Sequence, residues 1–450
     1  MLILAVAALL AWPLLVFGGV SAWGAAPLVP GAVLLALAVR PAVARHGTRW
    51  LDTALITLVA GIAIQLVPLG PAIVDWIEPD ASRAYSVLLL DAGTAHSRPL
   101  SMNPRATLEA LCIAGSAVLL FWSCRELLAQ GGVRKLTRAI LGLGLMTAFV
   151  AIAQRATSPG LIYWHWQPLD STARPFGPFV NRNHFATWLL MALPLSFGYF
   201  IAHLRSRRRE GHSRGRPAAL VEQFDQRAIW VPTAGLIMAL ALMLSLSRSG
   251  LAGLAVALIA GAWLTRRELE RGERVWAVGA ILAGTVLVAS YADLNAVMYR
   301  FDQTLASGYA DRHVIWRETL PILRSFWMSG TGAGTFPTAM LAYQRSDRTF
   351  FFNQAHNHYL QLATEGGLLL GIPVISSLAA LLLSARRRLT LDRTAVYWVR
   401  AGAVAGLAAV ACQSIWETGL RMPANAVLCA ILAAVAVHER HPAEFERGAS

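Results

Sequence analysis

Long apolar runs separated by short basic or turn-forming segments dominate the chain. Twelve stretches read as membrane-spanning helices: 3–22, 25–39, 51–69, 106–124, 138–154, 183–203, 229–247, 249–265, 275–292, 364–384, 397–415 and 421–438. A helix advances about 1.5 Å per residue, so roughly 20 apolar residues cross a bilayer core. The second, fifth and eighth stretches are short, and a tight turn joins the seventh to the eighth, so ten to twelve spans fit the pattern. None of the runs alternates apolar with polar residues, which argues against a lipid-exposed β-barrel. The expected fold is all-α: a polytopic integral membrane protein with about 12 transmembrane helices and a large external loop.

Composition agrees with that reading. Hydrophobic residues make up 56% of the 450 and charged residues 14%, with a mean hydropathy of +0.52. Charges are too few to clothe a water-soluble globule. The formal net charge of +14 could belong to a nucleic-acid binder. Here, however, most Lys and Arg residues are divided among 40–50, 125–137, 204–228, 266–274, 385–400 and the tail after 438, with no aromatic stacking platform. No nucleic-acid partner is expected. A cytoplasmic amino terminus puts all six segments on the cytoplasmic side, with the clearest blocks at Arg205-Ser-Arg-Arg-Arg209, Arg266-Arg267 and Arg386-Arg-Arg388. Both termini are then cytoplasmic, and 70–105, 155–182 and 293–363 face outward. The amino terminus has no basic n-region, so its first apolar run is expected to be retained. Cys112, Cys124, Cys412 and Cys429 form no CxxC pair, which supports neither a disulfide framework nor a thiolate metal site.

Four polar constellations lie on the expected external face. The first, Phe176-Gly-Pro-Phe-Val-Asn-Arg-Asn-His184, puts Asn181, Arg182, Asn183 and His184 where the chain enters the membrane. It reads either as a substrate contact or as a helix cap with an interfacial anchor. The second, Ser245-Leu-Ser-Arg-Ser-Gly250, leaves Arg248 between two apolar spans, where its guanidinium either snorkels or meets an anion such as phosphate. In the third, Arg312 and Trp316 share one helical face and His313 and Arg317 the next, on an amphipathic helix expected to end near Pro321. Arg312 could grip a phosphate while Trp316 stacks on a sugar or seats the helix. The fourth, Asn353-Gln-Ala-His-Asn-His-Tyr-Leu-Gln-Leu-Ala-Thr-Glu-Gly-Gly367, runs into the tenth span. On a helix it gathers His356 and Tyr359 on one side and Asn357 and Gln361 in an adjacent polar stripe. A metal site there would lack a third ligand near His356 and His358, so His356 reads better as a general base. Gly330-Thr-Gly-Ala-Gly334 lacks a GK[ST] ending and reads as a tight turn, not a nucleotide loop.

With those residues in place, the run from about 176 to 384 resembles the O-antigen ligase and polymerase superfamily of bacterial membrane proteins. The matching motifs are Ala355-His-Asn-His-Tyr-Leu-Gln361 with Glu365-Gly-Gly367, Arg312 through Trp316, and Gly330-Thr-Gly-Ala-Gly-Thr-Phe336. Ser247-Arg248-Ser249-Gly250 and Pro178-Phe-Val-Asn-Arg-Asn-His184 add two more. The resemblance implies glycan transfer from a polyprenyl (undecaprenyl) diphosphate donor at the periplasmic face of the inner membrane, without nucleotide hydrolysis; no cofactor is expected, and because Arg can supply the positive charge that a divalent metal supplies elsewhere, metal-independent transfer is expected. The acceptor in such proteins is a glycolipid, a growing glycan or a protein. His356 matches the family's essential loop histidine, and Arg248 and Arg312 match its two arginines associated with the donor diphosphate. Asn181, Arg182, His184, Trp316, Asn357, Tyr359 and Gln361 are the expected substrate contacts. The chain would divide into amino-terminal helices with two external loops over 1–175, a catalytic membrane domain over 176–384, and carboxyl-terminal helices with a tail over 385–450. A carrier of lipid-linked glycans is the competing class, although no matched pair of broken helices supports it.

Overall fold

The computed structural model describes residues 1–45, 47–79, 81–88, 97–169, 173–210, 226–266, 268, 309–346, 348 and 351–439. Among them the regular structure is helical, and β pairing is limited to the isolated bridges Leu69–Arg98, Ile162–Trp166 and Phe176–Phe179. In chain order the helices are α1 (Leu2–Leu15), α2 (Ala22–Ala25), α3 (Leu28–Val39), α4 (Arg49–Ile64), α5 (Pro71–Ile77), α6 (Ala81–Val87), α7 (Pro104–Ala129) and α8 (Val133–Thr157). They continue with α9 (Arg182–Glu210), α10 (Gln226–Leu244), α11 (Arg248–Thr265), α12 (Tyr309–Ser325), α13 (Phe336–Tyr343), α14 (His358–Leu391), α15 (Val396–Gln413) and α16 (Pro423–Val437).

Among the described residues, seven helical stretches are long and apolar enough to cross a membrane: Ala22–Val39, Pro104–Ala129, Val133–Thr157, Arg182–Ser206, Arg248–Thr265, His358–Leu391 and Val396–Gln413. Leu2–Leu15, Ile229–Leu244 and Pro423–Val437 are shorter apolar helices. The protein is thus an all-α polytopic membrane protein. The expected span 275–292 and the first part of the external loop, 293–308, lie outside the described residues.

Burial separates the bundle's centre from its rim. In α9, 78% of the apolar window is buried inside the molecule, against 17% in the still more apolar α14, whose Ile372, Ile375, Leu382 and Leu383 face outward. A helix apolar all round is either central or lipid-facing, and these two show each case. α9 packs directly on α15 through small residues. A Cβ on Gly198 would stand 2.2 Å from the Trp398 carbonyl oxygen, and one on Gly402 would stand 2.4 Å from that of Pro194. Small residues let backbones approach this closely where no hydrophobic effect drives helices together.

At one end of the bundle the helices are tied by buried charge. Asp52 accepts from Arg125 Nη1 (2.7 Å), Trp122 Nε1 (2.9 Å) and the Ala44 N–H (2.9 Å). Arg400 caps the last turn of α16 by donating to the Val435 and Ala436 carbonyls.

The other end carries a folded roof. Its core joins Tyr85 of α6, Met102, Ile315 and Ile322 of α12, Phe326 just after it, and Phe336 and Met340 of α13. Helix α12 does not stop at Pro321 as the sequence suggests; it runs to Ser325. Proline removes one backbone hydrogen bond, but Ile322 and Phe326 beyond it are fully buried in the roof core and hold the helix on course. Below the roof, the turn at 330–334 docks into α14 where that helix breaks at Gly367 (φ 51°, ψ −146°). The Thr331 and Gly332 N–H groups donate to the carbonyls of Thr364 and Glu365, and those of Leu368 and Leu369 donate to Trp327 and Met328. Gln65 closes the joint by donating to the carbonyls of Ser329 (2.8 Å) and Glu365 (2.9 Å). Gly330 (φ 72°) has no room for a side chain, because a Cβ would meet the Glu365 carbonyl at 2.3 Å.

Candidate active site

The polar residues at the roofed end gather around one carboxylate. Glu417 lies between α15 and α16, in the segment that ends in a short 3-10 turn, Gly419–Arg421. Its side chain is 1% exposed. Oε1 accepts from Arg312 Nη2 at 2.8 Å and from Asn183 Nδ2 at 2.7 Å. Oε2 has no hydrogen-bond partner and stands 3.9 Å from His356 Nδ1, itself unpartnered. Burial alone would push this carboxyl upward in pKa. The His356 imidazole, the Arg312 guanidinium and His184 outweigh it and hold Glu417 below its ordinary value, so it is ionised at neutral pH.

Three separate pieces of chain aim these groups. Asn181 caps α9: its Oδ1 accepts from the Asn183 N–H (2.8 Å) and its carbonyl from the His184 N–H (3.1 Å). That cap fixes the first turn and directs Asn183 toward Glu417. Arg312 comes from the first turns of α12 and is about a third exposed (31%). His356 comes from the segment before α14, and its backbone is left-handed (φ 49°), a strained conformation for a side chain of this size. The expected helical stripe of His356, Asn357, Tyr359 and Gln361 is therefore broken at its start. The helix begins only at His358, because Asn357 is its cap and accepts the Leu360 N–H at 3.0 Å.

The strained loop is held from every side. Trp316 Nε1 donates to the Ala355 carbonyl at 2.8 Å, and the Ala355 N–H donates to Gln361 Oε1 at 3.1 Å. The Thr418 hydroxyl donates to Gln354 Oε1. Gln361 in turn donates to Glu365 (3.0 Å), whose carboxylate accepts the Gly334 and Phe336 N–H groups of the roof turn. Trp316 and Gln361 thus brace the His356 loop, and Tyr359 is bonded to the Ala411 carbonyl of α15 (2.6 Å).

The remaining expected residues lie around this centre. His184 is buried, with Nε2 unpartnered, within electrostatic reach of Glu417 and His356. Arg182 is the first residue of α9, half-buried, its N–H donating to the Arg174 carbonyl. Arg248 is exposed at the start of α11, where Ser247 is the cap. Its neighbour Ser249 accepts from Gln413 Nε2 (3.5 Å), which also donates to the Asn183 carbonyl (3.3 Å). A single polar chain therefore links the Arg248 turn to Glu417. Among the described residues, no group of three or more His, Cys, Asp or Glu side chains is arranged to hold a metal ion.

The sequence marks Asn183 only as part of the 176–184 constellation and does not single out Glu417. The signal for Glu417 was present: it is the only acidic residue between Asp392 and Glu439, a stretch otherwise given to two apolar helices. An ionisable side chain in that setting is functional or structurally essential by default.

A helical membrane bundle with one roofed end and a His–Glu–Arg cluster beneath the roof defines a polytopic membrane protein with an enzyme-like site. Residues 233–375 match the O-antigen ligase family model, so the chain carries an O-antigen ligase-like domain over that stretch. The matched stretch contains Arg248, Arg312, Trp316, His356, Asn357, Tyr359 and Gln361, and it excludes Asn181–His184 and Glu417. No curated protein matches the chain.

Proposed function

We propose that the protein transfers a glycan from an undecaprenyl diphosphate carrier to an acceptor hydroxyl at the external face of the inner membrane, as an O-antigen ligase-like enzyme. The observation that carries this reading is the convergence of His356 and Arg312 on buried Glu417, from segments of chain that meet only in the folded protein.

The chemistry asks little more of the site. The donor's C1 already bears a diphosphate leaving group, so the acceptor oxygen must be oriented and relieved of its proton while charge builds on the diphosphate. Glu417 facing Nδ1 favours the tautomer with its proton on Nδ1, which leaves His356 Nε2 to take the hydroxyl proton. The new C1–O bond forms as the C1–diphosphate bond breaks, with inversion at C1. Arg312 spends one nitrogen on Glu417 and keeps further N–H donors for phosphate oxygens. Arg248, exposed at the adjacent helix start, supplies the second cation. Two guanidinium groups provide the positive charge that a metal ion supplies elsewhere, so transfer is expected to be metal-independent. His184 and Asn183 act behind Glu417, while Arg182 and Asn357 line the approach.

The acceptor separates an O-antigen ligase from a polysaccharide polymerase or a protein O-oligosaccharyltransferase. Mass spectrometry of glycolipids, free polymer and glycoproteins from cells lacking the protein tests the reading. A ligase predicts loss of the long-chain glycolipid with accumulation of lipid-linked donor. Loss of polymer length alone indicates the polymerase, and loss of protein-linked glycan the oligosaccharyltransferase. Lipid-linked glycan trapped on the cytoplasmic leaflet would replace transfer by transport.

A further inference from the structure

Between α8 and α9 the segment Ile162–Trp166 closes on itself: the Ile162 N–H donates to the Trp166 carbonyl (2.8 Å) and the Trp166 N–H to that of Ile162 (3.0 Å). Inside this turn Tyr163 (φ 53°) and Trp164 (φ 66°) are consecutive left-handed residues. Aromatic side chains rarely adopt that conformation, which is strained and persists only where the surroundings impose it.

They do so here. The Tyr163 N–H donates to Gln154 Oε1 (2.9 Å) and its hydroxyl to the Leu15 carbonyl (2.5 Å), while Trp164 Nε1 donates to the Thr157 hydroxyl (2.6 Å). The polar handles of both rings are bonded internally, yet Trp164 remains 45% exposed. Phe17 packs against Trp166 (ring centroids 4.7 Å apart), Tyr163 (5.9 Å) and Trp23 (6.4 Å), and Trp23 is 59% exposed. A rigid shelf of aromatic rings results.

The shelf adjoins the candidate active site. A Cβ on Gly18, the residue after Phe17, would meet the Phe179 ring at 2.5 Å, and one on Gly19 would meet Pro423 at 2.9 Å. Phe179 packs on Phe185, the residue after His184, and Pro423 opens α16, directly after the segment that carries Glu417.

We infer that Tyr163, Trp164 and Trp166, with Phe17 and Trp23, form a stacking subsite for pyranose rings of a glycan substrate, at a distance from the bond being made. This rests on the proposed glycan transfer. The polarised C–H face of a sugar complements the negative face of an aromatic ring, and fixed rings lose little entropy on binding. A membrane-interface belt is also rich in Trp and Tyr, but there the polar tips point to headgroups and water. Here the tips of Tyr163 and Trp164 are bonded to Leu15 and Thr157 of the protein itself, on a strained backbone that an anchor does not need.

The test is binding by purified full-length protein in nanodiscs, comparing wild type with Trp164→Ala, Trp166→Ala and Trp164→Phe. The probes are undecaprenyl diphosphate carrying one sugar, the same carrier with six sugars, and a core-oligosaccharide glycolipid as the acceptor arm. The alanine variants should raise Kd by roughly three- to tenfold for the six-sugar donor or for the glycolipid, leave the one-sugar donor unchanged, and be largely rescued by phenylalanine. The arm that responds names the source of the glycan. Equal Kd values across every probe, or weakening that is uniform and independent of chain length, overturns the subsite. Transfer measured in the same samples reports separately on the proposed function.

Discussion

Oε1 of Glu417 takes two donors and Oε2 none, so one carboxylate braces Arg312 while presenting a bare oxygen to His356. Replacing it with glutamine keeps the shape, removes the charge and lets an amide N–H face the imidazole. Glu417→Gln is therefore expected to lower transfer by about 10²-fold or more, with donor binding reduced far less. Steady-state transfer alongside direct donor binding checks this, and parallel losses in both would reassign Glu417 to binding. Because its folded-state pKa lies below the ordinary 4.5, the stabilisation it contributes is present above that value and is lost as pH falls through the lowered one. Glu78 shows the opposite sign. Fully buried, with neither carboxylate oxygen bonded, it is pushed up to about 8 by burial despite the opposing charge of Arg98. The folded protein then holds a proton that the unfolded chain releases, so stability declines as pH rises from 4.5 toward 8. The thermal midpoint of the wild type should fall between pH 6 and pH 8, and Glu78→Gln should flatten that slope; an unchanged slope would show that Glu78 does not titrate in this range.

Among elements, the joint between the 330–334 turn and the break in α14 carries the heaviest geometric demand. Gly330→Ala must place a Cβ 2.3 Å from backbone at positive φ, and is expected to destabilise by about 2–4 kcal/mol. Gly142→Ala in α8, with nothing within 4 Å, should be neutral or stabilising. Thermal unfolding of the two variants in detergent compares them, and equal midpoints would contradict the joint. The turn was legible as a turn from its glycines, and most helices from their apolar runs, because both are local signals. What the sequence did not reveal was long-range. Pro321 reads as a helix end until Ile322 and Phe326 are seen to be buried beyond it. His356 reads as helical until Asn357 is seen to cap α14. Glu417 enters the cluster only when the α15–α16 connection meets α9 and α12, which no spacing in the sequence encodes.

For the whole molecule, the division of basic segments sets an expected orientation with both termini in the cytoplasm and the roof outside. A cysteine introduced at Arg345 of the roof should react with a membrane-impermeant reagent in intact spheroplasts, and one at Lys135, in the first turn of α8, only after permeabilisation. The reverse pattern would place the cluster on the wrong side for an external acceptor. The fold brings His356, Arg312 and Glu417 together under that roof, and the central claim is that this assembly performs transfer. The most direct test is a single-turnover reaction in proteoliposomes, with undecaprenyl-diphosphate glycan as donor and a glycolipid acceptor, comparing wild type with His356→Gln. The account predicts glycan moved to the acceptor by the wild type, insensitive to chelator, and a His356→Gln protein that binds donor normally but transfers about 10²-fold more slowly or worse. Wild-type rates from a folded His356→Gln protein would contradict it.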